Sequence, residues 1–104
     1  MGSVIMAKWT YDQVTKRLSG SGANIKCEEM RELLVDLGFK IKDGKNGRHR
    51  TYRHPEITSF HGGSYDCGHK ARMLPIYPQN VLKVLTEYKD ELQAIEKNEQ
   101  DKKI

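Results

Sequence analysis

The chain is poor in the residues that announce a compartment or a cofactor. Its 104 residues hold two cysteines, Cys27 and Cys67. That is too few for a disulfide scaffold, and unpaired thiols suit a reducing compartment. No apolar run approaches the eighteen or so residues that cross a bilayer. The opening MGSVIMAKW lacks the apolar core and cleavage site of a secretory signal. A cytoplasmic location with no membrane contact is therefore expected. No GKS or GKT follows a glycine-rich turn, so a phosphate-binding loop is excluded. Prolines number three against 37% hydrophobic and 31% charged residues, a profile of one globular domain with a modest core.

What is present is positive charge in the middle of the chain. The formal net charge is +4. Between Gly38 and Arg72 there are eight Lys or Arg against three Asp or Glu, a local net of +5, so the remainder sums to −1. Charge concentrated in this way favours an anionic partner, nucleic acid among them, although many soluble domains carry such a patch without a ligand.

Periodicity gives the element order. Thr10 and Gln13 have capping-box spacing, and Val14 and Leu18 share a face, which predicts a helix over 11–18. SGSGAN then breaks it. Met30, Leu33, Leu34 and Leu37 form a stripe at helical spacing, with Glu28 and Glu29 at the positive end and Gly38 as C-cap. FKIK, the turn DGKNG and RHRTYRH predict a hairpin. A third extended segment is expected between ITSF and ARMLPIY, interrupted by HGGSYDCG. A last helix begins with Pro78 at its first position, and Val81, Leu85, Tyr88, Leu92 and Ile95 make its stripe. The fold class is α+β: a small antiparallel three-stranded sheet with helices on one face. Residues 1–24 form a helical extension and Ser/Gly linker, 25–96 the main domain, and 97–104 a charged, fraying tail.

If RHRTYRH is a strand, His49, Thr51 and Arg53 share one face and Arg48, Arg50, Tyr52 and His54 the other. Tyr52 is the natural inward residue, which turns His49 to solvent amid Lys45, Arg48, Arg50 and Arg53. Arg48 and Arg50 lie near the turn, where long stems can reach outward. Lys70 and Arg72 extend the basic surface, and Gly44 and Gly47 shape the turn. An imidazole there can take the proton of a ribose 2′-hydroxyl, and the cations can hold the phosphate that oxygen attacks. DNA lacks that hydroxyl. The same residues also suit a solvated charged hairpin or RNA binding without chemistry. His54, His61, Cys67 and His69 contain metal donors, but their spacing is no zinc signature. No metal or cofactor is expected.

The run EEMRELLVDLGFKIKDGKNGRHRTYRHPEI resembles the toxin component of HicAB toxin–antitoxin systems, as do HGG and the closing PQNVLKVLTEYKDEL. The resemblance covers residues 17–93. It implies a double-stranded-RNA-binding-domain-like fold and a metal-independent messenger-RNA endoribonuclease, with a cognate HicB-like antitoxin that covers the active surface. The chain would be a monomer when free, or a small complex with the antitoxin. The family's catalytic histidine falls on His49, as general acid/base, after Gly47. Arg48 stands where the family has serine, and Arg50 where a second histidine is common. A noncatalytic RNA-binding or antitoxin-binding module of the same fold is the alternative.

Overall fold

A computed structural model describes residues 8–20, 24–45, 48–67 and 73–102. The order is α1 (Tyr11–Ser19), α2 (Cys27–Asp36), β1 (Lys40–Asp43), β2 (His49–Arg53), β3 (Gly63–Asp66), α3 (Ile76–Glu87) and α4 (Lys89–Lys102). The strands form one antiparallel sheet in the order β1-β2-β3, with the helices on one face.

The helices begin and end for local reasons. Thr10 accepts from the Gln13 backbone N–H, and Gln13 accepts from the Thr10 backbone N–H, the expected capping box. At the end of α2, Phe39 donates to the Leu34 carbonyl and Gly38 to the Val35 carbonyl. This Schellman closure requires the positive φ of Gly38, which is 98°. A Cβ on Gly38 would also stand 2.7 Å from His54 Nε2.

Met30, Leu33, Leu34 and Leu37 are all buried, as their spacing predicts. With Val14, Ile25, Tyr65, Val81 and Leu85 they make the core between helices and sheet. The α1 helix contributes Tyr11, Val14 and Leu18 to that core. Trp9 fixes the start of α1 to α2: its indole donates to Glu32 at 2.8 Å and its backbone N–H to Asp36 at 2.9 Å.

Several expectations need correction. The third strand is GSYD, inside the segment read as an interruption. Gly62 carries the turn with a φ of 116°, and Gly63 is already paired with Tyr52. The closing helix starts at Ile76, and Pro78 falls in its first turn, where a missing N–H costs no intrahelical bond. The helix also breaks at Tyr88, whose ring packs 5.5 Å from Phe60 and whose hydroxyl donates to the Ser59 carbonyl. The apolar stripe continues through α4, and the helix runs on to Lys102, through most of the segment read as a tail.

The cysteines are not free thiols. Cys27 at the start of α2 and Cys67 just after β3 are joined in a buried disulfide across 40 residues of sequence. The antiparallel return of β3 brings its end over the N-terminus of α2. That is a tertiary consequence no local spacing announces. The thiol argument for a reducing compartment falls with it. No helix among the described residues is long and apolar enough to cross a membrane.

Candidate active site on the open sheet face

Strand register decides which side chains share the uncovered face. In β2 the inward residues are Arg50 and Tyr52, and the outward ones are His49, Thr51 and Arg53. The pairs Lys40–Arg53, Lys42–Thr51, Thr51–Ser64 and His49–Asp66 place Lys40, Lys42, Ser64 and Asp66 beside them.

His49 is exposed, and its Nδ1 lies 2.8 Å from Asp66 Oδ1. A carboxylate can only accept, so Nδ1 carries the hydrogen, and in the neutral ring the lone pair is on Nε2. The other Asp66 oxygen accepts from the Tyr77 hydroxyl at 3.3 Å. Three elements thus hold the pair: β2 supplies the imidazole, β3 the carboxylate, and α3 the phenol that steadies it. The negative charge of Asp66 raises the Tyr77 phenol above its usual range, with burial and the hydrogen bond adding to the effect.

On the other side of His49, Gly44 continues the β1 pairing. Its N–H donates to the His49 carbonyl at 2.7 Å. A Cβ there would meet that carbonyl oxygen at 2.8 Å and the His49 Cβ at 3.5 Å. Glycine therefore permits the close approach of the two backbones.

The remaining predicted residues divide. Arg53 shares the His49 face and is exposed. Lys45 and Arg48 are exposed at the turn that enters β2. Arg50 does not reach outward. Its side chain is 12% exposed on the helix side, 3.4 Å from Asp43 and 3.5 Å from Glu28. The alternation of the strand overrides the reach of its stem, because carboxylates on β1 and α2 meet the guanidinium there. Gly47, Lys70 and Arg72 lie outside the described residues, as does His69.

His54 is a core histidine. Its Nε2 donates to the Leu37 carbonyl at 3.0 Å and its Nδ1 accepts from the Glu56 N–H at 3.1 Å. Both ring nitrogens are therefore engaged, and the Cys67 sulfur is bonded to Cys27. No group of three or more His, Cys, Asp or Glu suited to a metal ion occurs among the described residues.

Sequence reasoning missed Asp66, Lys40 and Lys42, and left Tyr77 to loop packing or RNA contact, with no link to Asp66. Asp66 was recoverable once SYD is taken as a strand, since antiparallel pairing with HRTYR sets it against His49. Tyr77 carried no such signal. In comparisons with known proteins the chain matches no family model, no curated protein and no solved structure.

Proposed function

We propose that the protein is an endoribonuclease that cuts single-stranded messenger RNA by attack of a ribose 2′-hydroxyl, with His49 as general acid/base. On this reading it is the toxin of a HicAB-type pair, with a double-stranded-RNA-binding-domain-like core and an acidic antitoxin that covers the sheet face. The observation that carries the chemistry is the His49–Asp66 pair at 2.8 Å on an open surface. The element order helix, three strands, helix from α2 to α3 supports the fold reading.

The step follows from the geometry of the ring. Nε2 takes the proton of the 2′-hydroxyl, and the oxygen attacks the adjacent phosphorus. The bond to the 5′-oxygen breaks, and that oxygen takes a proton from the imidazolium just formed. A 2′,3′-cyclic phosphate and a free 5′-hydroxyl result. Asp66 holds the Nδ1 proton throughout and stabilises the cation as it appears. Lys45 and Arg48, exposed at the turn that enters β2, are the side chains this reading assigns to the phosphate oxygens. An acidic partner seated on the same face would exclude RNA by charge and by contact.

The test is cleavage of an RNA with one 2′-deoxynucleotide at the cut site, in the presence of chelator. The expected result is no scission at that position and cyclic phosphate ends elsewhere. Scission at the deoxy position would exclude ribose attack.

A further inference from the structure

The sheet face beyond the His49–Asp66 pair carries a second arrangement. Lys40 and Lys42 on β1, Arg53 on β2 and His61 in the loop before β3 line a groove of about 270 Å³ across the sheet, with Thr51 on its floor. Lys40, Arg53 and His61 also border a neighbouring groove, whose wall includes Pro55 and Phe60.

Lys40, Lys42 and Arg53 differ in one respect from the arginines that face the helices. Arg17, Arg31 and Arg50 are each paired with a carboxylate on the helix side. Lys40, Lys42 and Arg53 form no ion pair with any described residue. Lysines on an edge strand such as β1 are commonly there to block pairing with another sheet. That account does not reach Arg53, which is exposed on the central strand. The one carboxylate on the face among the paired strand positions, Asp66, sits at the far end and is engaged by His49 and Tyr77. Charge along β2 is therefore graded: the proton-transfer pair at one end, unpaired cations at the other. Residues 49 and 53 are four apart in an extended strand, which separates the ends by about 13 Å.

We infer that this groove is a phosphate track for single-stranded nucleic acid, with Lys42, Lys40, Arg53 and His61 holding the backbone of nucleotides on one side only of the bond at His49. The inference rests on the ribonuclease reading for its direction, but the binding itself needs no cleavage. Thr51 and Ser64, in the row between the two ends, offer hydroxyls and no charge. The track is blind to sequence, since it contacts phosphates.

The experiment uses oligothymidylate, which lacks the 2′-hydroxyl and stays intact. Its binding is followed by fluorescence anisotropy across a salt series for the wild type and Lys40→Glu/Lys42→Glu. The double variant is expected to bind about tenfold more weakly or worse, with a log–log salt slope shallower by about 1.4, two phosphates at about 0.7 each. His49→Ala is read for RNA cleavage, which it is expected to lose. Unchanged affinity and slope in a folded double variant would overturn the track, while loss of RNA cleavage in His49→Ala would leave the ribonuclease reading standing. Binding of polyglutamate but not of oligothymidylate by the wild type would also overturn it, assigning the groove to an acidic protein. Oligothymidylate binding by a wild type that cuts no RNA would keep the track and remove the ribonuclease.

Discussion

His49 and Asp66 face each other across β2 and β3 as direct register partners, with 2.8 Å between Nδ1 and Oδ1. The contact fixes which ring nitrogen is free. Asp66→Asn should therefore lower kcat by about 10- to 100-fold with little change in KM, because the amide oxygen can still accept from Nδ1–H but the amide N–H can equally donate to a bare Nδ1 and hold the wrong tautomer. Nitrogen-15 spectra of labelled His49 give an independent readout. The wild type should show the hydrogen on Nδ1 and the variant a mixture. An unchanged tautomer and unchanged kcat would leave Asp66 without a part.

The two arginines of β2 should separate cleanly. Arg53→Ala leaves the core untouched and should weaken RNA retention, with a shallower salt dependence. Arg50→Ala removes a side chain that is only 12% exposed. It takes one partner from Glu28 and from Asp43, which keeps Arg31, so it should cost on the order of 1 kcal/mol of stability, mostly in lost packing. Denaturant unfolding beside filter retention of RNA distinguishes them. Equal losses of binding and no change in stability would contradict the assignment of faces.

Gly44→Ala puts a methyl against the His49 carbonyl at 2.8 Å. The backbone must shift, at about 1–3 kcal/mol, and the imidazole moves with it. A lower melting temperature together with slower cleavage is expected, and a variant as stable and active as the wild type would show the contact to be lax.

The Cys27–Cys67 bond closes 40 residues that contain β1, β2 and β3. Its removal in Cys27→Ser/Cys67→Ser, or by reductant, should lower stability by about 2–4 kcal/mol. Thiol titration of the unfolded protein, with and without prior reduction, checks that the bond is present.

Burial pushes the Tyr52 phenol up to about 12 from 10.0, with the neighbouring Tyr65 adding to the shift. Tyr65 is also raised by its burial, against the opposing pull of Arg50. A folded-state value above the unfolded one means the folded chain keeps a proton that the unfolded chain has lost. The stabilisation is complete below pH 10.0 and disappears as the pH rises through about 12. Tyr52 alone accounts for on the order of 2–3 kcal/mol. Denaturant midpoints should hold steady up to pH 10.0 and fall beyond it; a flat profile through that window would contradict the burial of the phenol.

Much of this was legible in the residues because it is local. The stripe Met30, Leu33, Leu34 and Leu37, the Thr10–Gln13 cap and the alternation that turns His49 out and Tyr52 in depend on spacing alone. Features that depend on pairing were not legible. The partner of His49, the disulfide and the inward ion pairs of Arg50 all follow from the return of β3 and the packing of α2. The four-residue strand GSYD gave too short a pattern to register after the glycine turn at Gly62. Lys40 and Lys42 were passed over because alternation in β1 makes them ordinary surface lysines until Arg53 is set beside them.

The central claim is tested most directly by RNA cleavage with His49→Ala, after circular dichroism shows that the variant folds. His49 is exposed and its loss removes only the contact with Asp66, so the fold should survive. The account predicts cleavage by the wild type in chelator and a loss of at least about 100-fold in the variant. Cleavage at the wild-type rate by folded His49→Ala would contradict it.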